Sequence, residues 1–114
     1  MDKARAAELL GAERARVEGE IAGLKTAGRE NRAAERETGD YADPATALTS
    51  EGVDDALLVG LQNRLDAVGR AEERLADGTF GLSVRSGLPI PDERLEADPA
   101  AELTVEEASD RHAD

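Results

Sequence analysis

Asp40-Tyr41-Ala42-Asp43-Pro44-Ala45 lies at the centre of a mirror symmetry in the apolar residues of this chain. After Ser50 the apolar positions Leu58, Leu61, Leu65, Val68 and Leu75 advance by three and four, interrupted by Glu72. Before Thr38 a similar series runs Ala7, Leu10, Val17, Ile21 and Leu24, with Arg14 in the gap. Steps of three and four place residues on one stripe of a helix, and such a stripe is the seam of a coiled coil. With the chain folded back at Ala42 or Asp43 the two series meet. Leu24 then faces Leu61, Ile21 faces Leu65, Val17 faces Val68 and Leu10 faces Leu75. The residue numbers of each pair add to a nearly constant value, as antiparallel helices require. The charged interruptions Arg14 and Glu72 obey the same rule. The chain is therefore expected to be mainly α: a long antiparallel helical hairpin, a coiled coil, with acidic residues at its tip.

Composition narrows the function. Of 114 residues 35% are charged and 2% aromatic, the latter being Tyr41 and Phe80, which is too little bulk for a large globular core but suits solvated helices. No apolar run is long enough to span a bilayer and no signal-like stretch opens the chain, so a cytoplasmic location without membrane contact is expected. The formal net charge of −12 would repel a polyanion, which argues against direct DNA or RNA binding. Acidity is densest from Asp92 onward, and a protein partner with basic patches is the better match, although net charge also simply keeps a chain soluble. Cysteine is absent, which excludes disulfides and thiolate metal sites. The one histidine, His112, lies in a polar tail without the fixed neighbours that catalysis needs. With no pocket-sized apolar region to tune a carboxylate, no enzymatic activity is expected. The internal pairing of the two series favours a monomer.

Along the chain, a first helix is expected from about Lys3 to Glu37, with Gly39 as its C-terminal cap. Between Lys25 and Asp40 no apolar residue is larger than alanine, so this part of the seam should be weakly held. Arg29, Arg32 and Arg36 share a face there. They form either a solvated face balanced by Glu30, Glu35 and Glu37, or contacts to a partner beside the tip. Pro44 rules out a continuous helix through the tip, and Thr49 or Ser50 is expected to cap the second helix, making 39–49 the tip. That helix should stop at Gly78, closing a hairpin of residues 1–77. In 78–114, Gly78-Thr79-Phe80-Gly81, Ser86-Gly87 and Pro89-Ile90-Pro91 mark turns or short strands. A short helix should follow from about Pro91 to Ala97, and Thr104-Val105-Glu106-Glu107 fits a capping box opening a terminal helix. The apolar residues of this segment are too few to hold it alone, so it must pack near Leu9, Leu10 and Leu75.

Leu75-Ala-Asp-Gly-Thr-Phe-Gly-Leu-Ser-Val-Arg-Ser-Gly-Leu-Pro-Ile-Pro-Asp-Glu-Arg-Leu-Glu-Ala97 resembles the DksA/TraR family of RNA polymerase-binding factors. The similarity is dense from about Arg64 to Glu107. The resemblance implies a hairpin joined to a four-cysteine zinc finger, but the family's cysteine positions fall on Ser83, Ser86, Thr104 and Glu107. Hydroxyls do not hold structural zinc, so this looks like a cysteine-less member with a degenerate, zinc-finger-like segment, no metal and no other cofactor. The tip adds a second match, because members that act on polymerase carry Asp-x-x-Asp-x-Ala there, and Asp40, Asp43 and Ala45 satisfy it. Gly, Asp and Pro also simply build turns.

The resemblance implies a transcription regulator that binds bacterial RNA polymerase and inserts its coiled-coil tip into the secondary channel, modulating promoter complexes. Asp40 and Asp43 would be the effectors, Ala45 would permit close approach and Tyr41 would offer an aromatic edge. The alternative is a non-catalytic coiled-coil interaction protein that no longer binds polymerase.

Overall fold

Two long helices carry the apolar stripes: α1, Lys3–Thr38, and α2, Pro44–Asp77. Two short ones follow, α3, Asp92–Ala97, and α4, Val105–Asp110. The structure, a computed structural model, describes residues 1–38 and 44–110, with side chains for 1–28 and 54–109. The expected cap Gly39 lies outside the described residues. The start of α2 corrects the sequence reading. The helix opens at Pro44, ahead of the expected caps Thr49 and Ser50, which lie inside it. Proline fits the first helical position, where its missing amide hydrogen costs nothing and its fixed φ is already helical.

The chain divides into two compact units, Arg16–Leu65 and Met1–Ala15 with Asp66–Asp114. In the first, the later part of α1 and the earlier part of α2 form the antiparallel pair. Val17 is fully buried, and Ile21, Leu24, Leu58, Leu61 and Leu65 are half-buried on the expected stripes. Leu57 and Val59, off that stripe, are more than half exposed, at 52% and 54%.

In the second unit Leu10, Val68, Ala71 and Ala100 form a buried cluster, with Ala67, Leu75 and Phe80 packed against it. Ile90, Leu95 and Ala101 form a second cluster, also packed by Phe80. The ring of Phe80 thus joins the helical seam to the C-terminal segment, as the shortage of apolar residues in that segment requires. Beside the first cluster the seam turns polar. Arg14 donates from Nε to the Glu72 carboxylate at 3.1 and 3.3 Å and from Nη2 to Glu72 Oε1, the pairing expected from the interrupted stripes. Both side chains remain about a third exposed, which limits the net worth of the pair to about 1 kcal/mol or less.

The end of α2 is a Schellman motif. Thr79 donates its amide to the Arg74 carbonyl at 2.8 Å and Gly78 donates to the Leu75 carbonyl at 3.4 Å. Gly78 sits at φ +83°, the left-handed conformation this motif needs. The turns beyond it meet at one isolated bridge, Leu82 with Pro89, rather than at longer strands among the described residues. Gly81, at φ +85°, and Gly87, at φ +76°, share that left-handed conformation, and Gly81 lies beside Leu95 of the second cluster. α3 starts one residue later than expected, at Asp92, with Pro91 as its N-cap residue.

Leu10→Ala should lower unfolding stability by about 2–4 kcal/mol, since the void borders rigid helical backbone and cannot collapse fully. Gly78→Ala should cost about 1 kcal/mol through its positive φ, with no change in contacts. Urea denaturation midpoints of the two variants check both values.

Candidate functional site

Two regions carry the residues singled out in the sequence. The first is the connection between the long helices. With α1 ending at Thr38 and α2 beginning at Pro44, five residues join them. Asp40, Tyr41 and Asp43 belong to that connection and lie outside the described residues. Ala45 is the second residue of α2, and Arg29, Arg32 and Arg36 recur at helical spacing on α1. The side chains of these four lie outside the described ones as well. The helix termini therefore narrow the connection from 39–49 to 39–43, and its sequence is Gly-Asp-Tyr-Ala-Asp.

The second region contains the four positions where the resemblance implies metal ligands. Ser83 and Thr104 are buried, at 4% and 7% exposure. Ser83 Oγ accepts the amides of Arg85 and Ser86 at 3.1 and 3.2 Å, closing a tight turn. Ser86 Oγ in turn accepts the Leu88 amide at 3.3 Å. Thr104 and Glu107 form the expected capping box of α4. The Thr104 amide donates to Glu107 Oε1 at 3.1 Å, and the Glu107 amide donates to Thr104 Oγ1 at 3.2 Å. The Glu107 side chain is only partly buried. The Ser83 hydroxyl first, then the Thr104 amide, hold its carboxyl well below the ordinary 4.5, at about 2. The sequence reading found the box but not the influence of Ser83 on the Glu107 carboxyl. The available signal was two serines three apart in the segment that the α4 cap must pack against.

This donor set does not fit zinc. Structural zinc takes thiolates and imidazoles in a closed tetrahedron. Here three of the four groups are neutral hydroxyls, and both lone pairs of Ser83 are taken by backbone amides. Among the described residues no group of three or more histidine, aspartate or glutamate side chains is arranged to hold a metal ion.

Charged links reinforce the attachment of the C-terminal segment to the helices of its unit. Arg5 on α1 grips Glu96 on α3 through Nε and Nη2 at 3.0 and 2.7 Å, holding that carboxyl below the usual range. Arg70 on α2 donates to Glu102 at 2.8 Å, and Arg94 Nε donates to the Leu103 carbonyl at 2.9 Å. None of the described helices is long and apolar enough to cross a membrane.

The architecture has solved counterparts. Transcription factor DksA2 from Pseudomonas aeruginosa matches it with a TM-score of 0.79 and 30% identity, over 97% of this chain and 83% of that one. In sequence, the RNA polymerase-binding transcription factor DksA of Caulobacter vibrioides is 37% identical over 82 residues, 68% of this chain and 56% of that protein. General stress protein 16O of Bacillus subtilis is 39% identical over 69 residues, 60% of this chain and 42% of that protein. The chain thus spans about half the length of the curated relatives it matches. No family model matches the sequence. Fold and likeness together define the class, a helical-hairpin protein built like the DksA transcription factors. The chain belongs to the DksA/TraR family, as a member without the zinc-ligating cysteines.

The Glu107 environment has a definite pH signature. A carboxyl that titrates lower when folded contributes stability in full above its ordinary pKa of 4.5 and loses it as the pH falls through about 2. Thermal midpoints measured across that window should fall with acid, and Glu107→Ala should flatten the part of the slope that this residue supplies.

Proposed function

We propose that this protein is a non-enzymatic regulator of transcription that binds bacterial RNA polymerase in the cytoplasm and presents residues 39–43 within the secondary channel. The observation that carries the reading is positional. The helix termini at Thr38 and Pro44 leave Asp40 and Asp43 in the connection between the long helices, and Ala45 directly after it. Family membership supports the partner, since the Caulobacter relative is named as an RNA polymerase-binding factor.

In this reading the long helices are a positioning arm and the carboxylates are the effectors. A carboxylate brought to a basic group in a confined, partly dehydrated channel makes a charge-assisted hydrogen bond, stronger than the same contact in open water. Such contacts shift the lifetime of promoter complexes without any bond being made or broken in the protein. Ala45 leaves room for close approach, Tyr41 supplies an apolar edge, and Arg29, Arg32 and Arg36 face acidic groups flanking the channel. The net charge of −12 disfavours nucleic acid as the binding target. The segment 78–114 serves as the docking body of a monomer.

The test pairs binding with activity. A tagged copy should retain bacterial core polymerase, and Asp43→Asn should bind within about threefold of the parent, because the docking body 78–114 carries most of the binding energy. The same variant should lose the effect on promoter-complex lifetime in transcription assays. Full activity in Asp43→Asn overturns the assignment of the effector. Failure to retain polymerase leaves the non-catalytic coiled-coil interaction protein as the function.

A further inference from the structure

Residues 83–88 form a turn whose backbone is fully satisfied and whose apolar side chains are not. The Ser83 amide donates to the Leu88 carbonyl at 2.8 Å, and the Gly87 amide donates to the Ser83 carbonyl at 2.9 Å. Ser83 Oγ accepts the amides of Arg85 and Ser86 at 3.1 and 3.2 Å, and Ser86 Oγ accepts that of Leu88 at 3.3 Å. The Val84 amide crosses to the Glu102 carbonyl at 2.9 Å. Every amide from Ser83 to Leu88 thus has an acceptor within the protein, which holds the turn in one conformation. Yet Val84 is 55% exposed and Leu88 58%. Between them Arg85 is exposed and has no ion pair among the described residues. Leu57 and Val59 are as exposed, but two apart on a helix they point to different sides.

We infer that the turn 83–88 is a preformed docking epitope: Val84 and Leu88 enter an aliphatic recess on bacterial RNA polymerase, and Arg85 pairs with a carboxylate beside it. The inference rests on the polymerase reading above and extends it. A stable protein–protein interface takes roughly 800 Å² and roughly 20–30 residues from each partner, which the five-residue connection between the long helices cannot supply alone. Aliphatic groups flanking an arginine on a rigid backbone add contact area without the entropy cost of ordering a loop. Charge defines the partner's side of the contact. In a chain of net charge −12 an unpaired arginine is matched by an acidic site, whereas two copies of this chain repel one another.

Binding and fold are read on the same whole-chain variants. Leu88→Asp and, separately, Arg85→Glu should each weaken retention of bacterial core polymerase about tenfold or more. Both side chains are exposed, so the urea midpoints should stay at the parent's. Asp43→Asn, expected to keep binding, is the control that separates epitope from effector. A smaller effect in either variant overturns the epitope and leaves the polymerase reading standing. So does a loss of binding that comes only with a lowered urea midpoint. A parent that retains no polymerase overturns the polymerase reading and the epitope with it. Dimerisation of the parent on concentration, abolished in Leu88→Asp, assigns the turn to a second copy and overturns the proposal as well.

Discussion

The packing of Phe80 against two clusters at once is the contact on which the rest of the second unit depends. A segment that contributes only Ile90, Leu95, Ala100 and Ala101 to its own buried surface cannot outweigh the entropy of ordering itself. It becomes stable by sharing the surface of the long helices, with Ala100 entering the cluster around Leu10 and Val68. Small residues are the right ones there. Ala71 and Ala100 let backbones approach closely, while Leu10 supplies the bulk.

Polar chemistry then specifies what apolar packing leaves loose. The Arg14–Glu72 pair interrupts the seam at the same level on both helices, and a shift of either helix would set a charged group against a leucine or valine. Arg5 with Glu96 and Arg70 with Glu102 tie the C-terminal segment to α1 and α2. Each is exposed enough to contribute little alone, so their role is orientation more than stability. The capping box is different, because Thr104, which donates its amide to Glu107, is buried and the acceptor is charged.

The resemblance to DksA-type factors and the architecture agree over nearly the whole chain. The chain departs from the family's pattern at the four positions where the resemblance implies cysteines, and three of them carry hydroxyls. A family that loses its metal ligands must either lose the segment or hold it otherwise. Here hydrophobic sharing through Phe80, ionic attachment through Arg5 and Arg70, and the capping box of Thr104 and Glu107 each take part of that load.

The long antiparallel pair, the stop at Gly78 and the cap at Thr104 were legible in the sequence because each rests on local chemistry: three-and-four periodicity, a left-handed glycine, a side chain reaching its own backbone. The acidic residues of the connection were legible too, since the symmetry of the stripes locates the reversal without any coordinates. The start of α2 was misread because a proline acts as a helix breaker or a helix opener depending on where the preceding chain goes. The grip of Arg5 on Glu96, and the double duty of Phe80, belong to tertiary structure alone. They join residues far apart in the chain, and no pattern along one strand of sequence encodes which donor will find which acceptor once two segments are pressed together.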